Sequence, residues 1–432
     1  MSDGNKPVLK VGIAGLGTVG GGVIKILEGN ADLLAERCGR AIQVTAVCAR
    51  NRNIDRGFSV DGFAWYDNPV DLAADPNVDV VVELIGGSDG PAFALAQASL
   101  NAGKPFVTAN KALIAQHGQG LAALSATENT PLRFEAAVAG GIPIIKALAE
   151  GLSANTISRA YGILNGTCNY ILSVMEETGA PFTDILADAQ KLGYAEADPT
   201  FDVDGIDAAH KLAILSAVAF GATLNMDAMY TQGIRKITPL DIKFAAELGY
   251  KIKLIGLTEV SDAGVKQRVH PCLVSLKTAI AHVDGVNNAV VVEGDPIGQT
   301  VYQGPGAGEG PTASAVVADL CDIARGADHA ILPAPQSPPT NYISMDDHQA
   351  RYYVRLTVAD EPGVMADITA ALRDEDLSIE SLVQRSHMAG EPASVVLVTH
   401  ETNEAKILRS IERIGGLSFN ESEPQFIRIE NL

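Results

Sequence analysis

A glycine pattern near the start of the chain, G-x-G-x-x-G at residues 15–20, constrains the fold more than any other feature. It follows an apolar run at residues 8–14 that predicts a buried strand, and a helix-like segment begins directly after it. In that context Gly15 makes the tight turn, Gly17 lets the backbone approach a pyrophosphate, and Gly20 permits close helix–strand packing. A glycine-rich turn without a ligand is the alternative. We predict that a dinucleotide is bound by Gly15, Gly17, Thr18, Val19 and Gly20.

Further apolar runs at residues 42–47, 78–84 and 105–108 alternate with helical patterns. This alternation is typical of right-handed βαβ units, which build a parallel sheet. The sequence therefore predicts an α/β fold with a Rossmann-type doubly wound sheet over residues 1–133, completed by about residues 304–330.

The rest of the chain divides into three stretches. Residues 134–303 mix helical patterns, one of them at residues 142–152, with strand-like patterns and predict a second α/β domain. Residues 331–349 contain four prolines and predict a linker. Over residues 350–432 the predicted elements follow the order βαββαβ, which is the split ferredoxin-like unit.

Charge and composition narrow the class of protein. The formal net charge is −20, with 52 acidic and 32 basic residues, which argues against nucleic acid or an anionic membrane as a partner. Five scattered cysteines without a C-x-x-C pair indicate reduced thiols. The sequence has no signal-peptide pattern and no apolar run of the ~18 residues that a membrane span needs, so we predict a cytoplasmic protein.

The end of the predicted second strand bears on the choice of cofactor. An NAD site usually has an acidic residue there for the ribose 2′-hydroxyl, whereas a 2′-phosphate favours arginine. This sequence has Arg50 and Arg52, and no acid before Asp55. We therefore predict that Arg50 binds NADP(H), with NAD(H) as a second cofactor. Ordinary surface arginines are the alternative.

An acid-rich segment at residues 192–211 is the most informative part of the sequence for chemistry. Asp207 and Lys211 are four residues apart, so they share one face of a helix. A solvated loop with an exposed ion pair, contributing under about 1 kcal/mol, is one interpretation. However, an apolar stretch follows that would bury the helix and lower the pKa of Lys211 enough for proton transfer. His210 points about 100° away from Lys211 on that helix, so we predict a packing or surface role for it.

Several motifs together resemble the homoserine dehydrogenase family, in the family's order across about the first 325 residues. The acid-rich segment carries the most specific one, GYAEADPTFDVDGID, which leads to Lys211. The others are VELIGG (82–87), VTANK (107–111), FEAAVAGGIP (134–143), ILNGTCNYIL (163–172) and GPGAG (304–308).

The resemblance implies reversible NAD(P)-dependent interconversion of L-aspartate 4-semialdehyde and L-homoserine, within threonine, methionine and isoleucine biosynthesis. It implies that Lys211 donates and accepts the proton and that Lys111 reaches both cofactor and substrate. It also implies substrate contacts by Glu196, Asp202 and Asp207. It implies further cofactor contacts by Gly86, Gly193 and Gly308. It also implies a monovalent cation (Na⁺) bound by Glu135 and the backbone oxygens of Val138, Gly140 and Ile142. Residues 134–303 become a substrate-binding and dimerisation domain.

The C-terminal stretch resembles an ACT domain, because residues 360–364 (DEPGV) stand at its predicted strand-to-helix turn. ACT domains pair edge to edge and bind small amino acids, which implies L-threonine as effector and a homodimer or homotetramer. A domain that only mediates assembly is the alternative. For the whole chain, two other functions remain open. A dehydrogenase of another small amino-acid aldehyde would lack the 196–211 segment, and a non-catalytic nucleotide and amino-acid sensor would need no acid–lysine cluster.

Overall fold

A computed structural model describes residues 7–332, 340–385 and 392–432. Its first sheet is parallel throughout, with the strand order β3-β2-β1-β4-β5-β6. This is the order of a Rossmann dinucleotide-binding sheet, so the fold predicted from the glycine pattern is confirmed. The strands are β1 (Leu9–Ala14), β2 (Ile42–Cys48), β3 (Ala64–Tyr66), β4 (Val80–Glu83), β5 (Phe106–Thr108) and β6 (Leu132–Arg133).

The second sheet is mixed and has the order β12-β11-β7-β9-β10-β17-β13-β15-β14, with β8 beside β10 and β16 beside β13. Its first strands are β7 (Thr156–Ile163), β8 (Tyr230–Thr231), β9 (Tyr250–Ser261), β10 (Gly264–Ser275), β11 (Asn287–Asp295) and β12 (Gly298–Pro305). The C-terminal strands are β13 (Gln349–Val358), β14 (Ile379–Arg385), β15 (Ala393–Thr399), β16 (Thr402–Asn403) and β17 (Gln425–Ile429).

Helices pack against both sheets. Those up to the second sheet are α1 (Thr18–Gly29), α2 (Ala31–Cys38), α3 (Asp71–Ala74), α4 (Pro91–Asn101), α5 (Lys111–Glu128) and α6 (Ile144–Lys146). The next are α7 (Gly166–Thr178), α8 (Phe182–Lys191), α9 (Thr200–Val203), α10 (Ile206–Phe220) and α11 (Pro239–Glu247). The last are α12 (Glu309–Arg325), α13 (Val364–Asp374) and α14 (Glu404–Gly415).

Glycines bring the helices of the Rossmann part close to its first strand. Gly15 has a left-handed φ of 103°, and a Cβ atom at Gly20 would lie 2.1 Å from the carbonyl oxygen of Gly15. A Cβ atom at Gly22 would lie 3.0 Å from that of Ala313, so α12 packs directly on α1. Helix α12, which follows the second domain in the sequence, therefore contributes to the core of the first sheet.

The region after the first sheet contains elements that the sequence patterns do not predict. The helix expected at residues 142–152 is instead the short α6 followed by a π-helical turn, Ala147–Gly151. Strand β10 carries buried Gln267, Arg268 and His270, which break the apolar alternation of a strand. Residues 333–339 of the predicted linker lie outside the described residues.

The C-terminal unit extends the second sheet. Its strands have the order β17-β13-β15-β14 of a split ferredoxin-like unit, as predicted. Strand β17 pairs in parallel with β10, with Cys272 opposite Arg428. Among the described residues, no helix combines the length and the apolar character needed to cross a bilayer.

Candidate active site

A cavity of about 380 Å³ opens where the carboxyl end of the first sheet meets α7 and α10. Asp207 lies at its base, 3% exposed. Helix α10 begins one residue before Asp207, after Gly205, whose φ of 85° allows the sharp entry into the helix. Lysines, amides and backbone groups form the wall: Lys111, Asn165, Gly166, Thr167, Gly193, Tyr194, Asp202, Asp207, Lys211, Val286, Pro305, Gly306, Ala307 and Gly308.

Lys111 reaches this cavity from the Rossmann part of the chain. It is the first residue of α5, and Asn110 caps that helix by accepting a hydrogen bond from the Leu113 N–H at 3.1 Å. The Nζ atom of Lys111 lies 2.7 Å from Oδ1 of Asp207, and its side chain is 33% exposed. The ammonium group therefore faces the cavity while bound to a buried carboxylate.

Lys211 approaches the same carboxylate from the other side. Its Nζ donates to Oδ2 of Asp207 at 2.7 Å and to the carbonyl oxygen of Leu164 at 2.7 Å. The spacing of four residues on α10 produces the contact with Asp207, as the sequence predicts. Lys211 is buried and lines the cavity.

Burial and charge set the protonation of these three groups. Burial lowers the pKa of Lys211, and the nearby charge of Lys111 lowers it further against the opposing effect of Asp207. Burial disfavours ionisation of Asp207, but the two ammonium groups outweigh it and lower the pKa of that carboxyl. Burial also lowers the pKa of Lys111, yet Asp207 and, more weakly, Asp202 and Glu196 raise it overall. Lys211 is thus the lysine whose ammonium form is destabilised.

Asn165 and Thr167, which belong to the motif at residues 163–172, both line the cavity. Asn165 caps α7 with its Oδ1 atom, which accepts from the Cys168 N–H at 2.8 Å. Its Nδ2 atom donates to Oδ1 of Asp202 at 2.7 Å and to Oδ2 of Asp207 at 2.9 Å. One amide therefore both starts a helix and orients two carboxylates.

A second cavity, of about 520 Å³, lies against the glycine turn. Gly15 and Gly17 form one side, and a Cβ atom at Gly17 would meet nothing within 4 Å, so the backbone is open to a ligand there. Arg50 lines the opposite side and is exposed. The donor set fits a dinucleotide, since free N–H groups at the start of α1 face a cavity with a cationic rim.

Arg56 also lines this cavity, and sequence reasoning missed it. Its guanidinium donates to the carbonyl oxygens of Asn51 and Ile54, the latter at 2.9 Å, and lies 5.8 Å from the centre of the Trp65 ring. Arg52 also lies over the Trp65 ring, 5.7 Å from its centre, and its Nη2 atom lies 3.9 Å from Oδ1 of Asp61. The basic composition of the 50–56 loop was the available signal for Arg56.

The other residues expected at the site take separate positions. Gly193 and Gly308 line the substrate cavity, and Gly86 lies in the turn after β4 with a φ of 85°. Glu196 is exposed, and Gln190 binds its backbone carbonyl at 2.9 Å. His210 is 8% exposed and packs edge-on against Phe201, in keeping with the packing role predicted for it.

Glu135, the carboxylate expected at a cation site, is 2% exposed. Its Oε1 and Oε2 atoms accept from the N–H groups of Ile145 and Lys146 at 3.0 and 2.8 Å. Burial raises its pKa to about 7. Gly140, two residues beyond Val138, has a left-handed φ of 54°, and a Cβ atom there would lie 2.4 Å from the carbonyl oxygen of Gly306.

Comparison with known proteins covers nearly the whole chain. Residues 15–135 match the family described as homoserine dehydrogenase, NAD binding domain, residues 143–321 match homoserine dehydrogenase, and residues 352–416 match the ACT domain. The chain is 46% identical to homoserine dehydrogenase of Neisseria gonorrhoeae, over 99% of each chain. It is similar to the crystal structure of a homoserine dehydrogenase from Thiobacillus denitrificans, with a TM-score of 0.92, 46% identity and 99% of each chain covered. A hyperthermophilic archaeal homoserine dehydrogenase in complex with NADPH has a TM-score of 0.63 and 26% identity, over 73% of this chain and 97% of that one.

Proposed function

Because this chain belongs to the homoserine dehydrogenase family, we propose that it interconverts L-homoserine and L-aspartate 4-semialdehyde with NADP(H) as its preferred cofactor. The observation that carries this proposal is the pair of lysines on one buried carboxylate, Lys111 and Lys211 on Asp207, at the base of a cavity. When bound, the nicotinamide cofactor would supply the hydride chemistry. The chain's own groups bind the substrate and move its proton.

Lys211 is the group that takes the hydroxyl proton of homoserine during oxidation and returns a proton to the semialdehyde oxygen during reduction. A general base must lie within hydrogen-bonding reach of the proton, and its pKa should approach the working pH. Burial lowers the pKa of Lys211, which favours its neutral form. Its contact with the Leu164 carbonyl, 2.7 Å long, fixes the direction of the Nζ atom.

Acidic residues in and around the cavity, together with Lys111, orient the substrate. The amino group of homoserine is a cation, and Asp202 is the cavity carboxylate whose pKa is raised by burial, so a cationic ligand would favour its ionised form. Glu196 adds negative charge at the rim of the cavity. Together with Asp207, it contacts the amino group of homoserine. Lys111 reaches both the substrate and the cofactor.

NADP(H) selection is assigned to the cationic rim of the second cavity. Arg50 and Arg56 both line it, and a 2′-phosphate would form charge-assisted hydrogen bonds with their guanidinium groups. Gly15, Gly17, Thr18, Val19 and Gly20 would bind the pyrophosphate, and Gly86, Gly193 and Gly308 would make further cofactor contacts.

A sodium ion is proposed at Glu135 and the carbonyl oxygens of Val138, Gly140 and Ile142. One carboxylate with three carbonyls is a donor set that suits a hard cation. A cation there would favour the ionised form of a carboxyl whose pKa burial has raised to about 7. The ion would stabilise the loop and take no part in the reaction.

Control by L-threonine is proposed for the C-terminal unit, in an enzyme that is a homodimer or homotetramer and serves threonine, methionine and isoleucine synthesis. The first N–H groups of a helix have no partner within that helix, and α13 begins after Gly363, its N-terminal cap at a φ of 100°. A ligand shifts an equilibrium only if it binds one state better than the other, so threonine must bind the less active state more tightly.

One assay tests the proposed substrate, the cofactor preference and the threonine control. The purified chain should oxidise L-homoserine with NADP⁺, more efficiently than with NAD⁺, and threonine should slow the reaction. Absence of NADP⁺-dependent oxidation of homoserine, with activity on another amino-acid alcohol, would assign a different substrate.

A further inference from the structure

Glu83, the last residue of β4, is a fully buried carboxylate held by neutral donors. Its Oε1 atom accepts from the N–H groups of Ile85 and Gly86 at 2.6 and 3.0 Å. Its Oε2 atom accepts from the hydroxyl of Thr108, at the end of β5, at 2.6 Å. A buried charge is costly unless it is hydrogen-bonded, so these contacts fix the turn after β4 against the end of β5.

The contacts continue from Thr108 and return to the same turn. Oγ1 of Thr108 accepts from the Asn110 N–H at 2.9 Å. Asn110 caps α5 through the Leu113 N–H, and its Nδ2 atom donates to the carbonyl oxygen of Gly87 at 2.6 Å. Glu83, Thr108 and Asn110 therefore form a closed hydrogen-bonded circuit between two neighbouring strand ends.

This circuit holds two groups that the proposed reaction uses. One is the turn at residues 85–87, of which Ile85 lines the nucleotide cavity. The other is Lys111, which directly follows Asn110 and lies 2.7 Å from Asp207. Because the carboxyl ends of parallel strands form the cofactor crevice of a Rossmann sheet, the circuit lies between the two ligand sites.

We propose that Glu83 is a positioning residue for this reaction. Through Thr108 and Asn110, it fixes the position of the Lys111 ammonium group relative to the turn at residues 85–87. The inference rests on the proposed function, since it requires that Lys111 and the turn act on substrate and cofactor. A misplacement of about 1 Å at a reacting centre can lower the rate about a hundredfold.

Thr108→Val tests the link that the Thr108 hydroxyl makes between Glu83 and Asn110, because valine has nearly the same shape as threonine. Valine removes the hydroxyl while the contacts of Glu83 with the turn remain. We expect kcat for homoserine oxidation to fall about ten- to a hundredfold. The dissociation constant for NADPH, measured by titration calorimetry, should change little. Thr108→Ser keeps the hydroxyl and should restore kcat, which a purely space-filling role of the side chain would not allow.

Thr45→Val is the matched control. Thr45 lies on β2 of the same sheet, and its hydroxyl donates to the Asn77 carbonyl at 2.7 Å, away from both cavities. The control loses one threonine hydroxyl without touching the circuit, so its kcat should remain unchanged.

Glu83→Gln tests the other end of the circuit. The amide retains one oxygen and loses one acceptor, so kcat should fall and the amides of Ile85 and Gly86 should exchange hydrogen faster in the cofactor-free protein. Because Glu83 and Thr108 act through one link, the double variant should be scarcely slower than the worse single variant. Additive losses would mean that the two residues act separately.

Two outcomes separate this inference from the proposed function. If Thr108→Val lowers the melting temperature but leaves kcat unchanged, the circuit only stabilises the fold and the inference is wrong. Lys111→Ala provides the second comparison. Full activity of that variant would overturn the proposed role of Lys111 itself, whereas a slow Lys111→Ala enzyme beside a fully active Thr108→Val enzyme would overturn only the positioning role.

Discussion

Lys111 and Asp207 form an ion pair of 2.7 Å that joins the first residue of α5 to the first turn of α10. The other oxygen of Asp207 binds Lys211 at 2.7 Å, so two ammonium groups share one negative charge. The carboxylate cannot neutralise both lysines. The pKa of Lys211 therefore depends on both Asp207 and Lys111. Variants of this triad (Lys111, Asp207 and Lys211) should change the pH dependence of the reaction as well as its rate.

Lys211→Ala should lower kcat for homoserine oxidation by roughly a hundredfold or more while the fold persists, because the variant has no proton acceptor at the substrate oxygen. Steady-state kinetics and circular dichroism measure the two quantities. Lys191→Ala is the control: Lys191 forms an exposed pair with Asp188 of the same type, three residues apart, and its loss should leave kcat unchanged. Normal turnover of a folded Lys211→Ala enzyme would remove that lysine from the mechanism.

The pH profile should respond in opposite directions to two changes. Asp207 raises and Lys111 lowers the pKa of Lys211, against a background of burial that lowers it. Oxidation needs neutral Lys211, so the rising limb of kcat/KM follows its pKa. Asp207→Asn should move that limb to lower pH, and Lys111→Ala should move it to higher pH.

The limb is measured as the pH of half-maximal kcat/KM for homoserine, which does not depend on how far each variant lowers the maximum. Glu196→Gln is the comparison, because it removes an exposed charge near Lys111 rather than a partner of Lys211. It should raise KM for homoserine more than KM for the nucleotide and leave the limb in place. A shift of both triad variants in the same direction would contradict the assignment of the limb to Lys211.

Nucleotide preference should depend on two arginines. A charge-assisted contact with a phosphate contributes about 1.5–3 kcal/mol, which is roughly a ten- to 150-fold change in affinity. Arg50→Ala and Arg56→Ala should each weaken NADPH by about this factor and change NADH little. Arg52→Ala is the control, since Arg52 is not among the described residues that line the cavity and lies 3.9 Å from Asp61. A wild-type enzyme that prefers NADH would exclude the 2′-phosphate role before any substitution.

The candidate site was only partly predictable from the sequence. The contact between Asp207 and Lys211 follows from helical spacing, because residues four apart share a face. Lys111 has no such local signal, since it comes from a distant strand end, and it was expected only through the family resemblance. The same applies to the contact between Glu83 and Thr108, which exists because β4 and β5 are neighbours in the sheet.

The fold shows a similar division. Four Rossmann strands (β1, β2, β4 and β5) and the βαββαβ order have clear signals and were predicted, whereas the short strands β3 and β6 were missed. Strand β10 was missed because it buries Arg268 and His270, residues that would normally indicate an exposed segment. Arg268 is tolerated there because Glu430, at the far end of the chain, binds its Nε atom at 2.8 Å. A pattern within β10 cannot reveal a partner that lies after the last strand.

Sodium should stabilise the protein in a pH-dependent way. Burial raises the pKa of Glu135 from 4.5 to about 7, so the folded chain holds a proton that the unfolded chain releases between those values. Stability therefore falls as pH rises through this window. Sodium bound to the ionised carboxylate would offset that loss, since a ligand of the folded state stabilises it.

The measurement compares melting temperatures in sodium chloride and choline chloride at equal ionic strength. The difference should be small near about pH 6 and larger near about pH 8, where Glu135 is ionised. Glu135→Gln should abolish the difference at both values. A sodium effect that is independent of pH, or that persists in the variant, would place the ion elsewhere.

Threonine control is best tested without truncation. All the family's catalytic motifs precede the C-terminal unit, which suggests that the catalytic part could work alone. However, Arg268 is 1% exposed and pairs with Glu430 through both Nε and Nη2. Removing one partner of a buried ion pair typically costs about 3–5 kcal/mol, so a chain ending before residue 346 should melt at a lower temperature whatever threonine does.

A point variant at the turn before α13 avoids this loss. If threonine docks at residues 360–364, it should inhibit the intact enzyme and raise its melting temperature, because it binds the folded state. Asp360→Ala should weaken threonine binding, measured by calorimetry, and reduce inhibition in parallel, since linkage makes the two effects reciprocal. Asp227→Asn, an exposed aspartate outside this unit, should leave both unchanged. If calorimetry detects no threonine binding to the full-length protein, the C-terminal unit serves assembly, and its fusion to β10 through β17 is then its principal contribution.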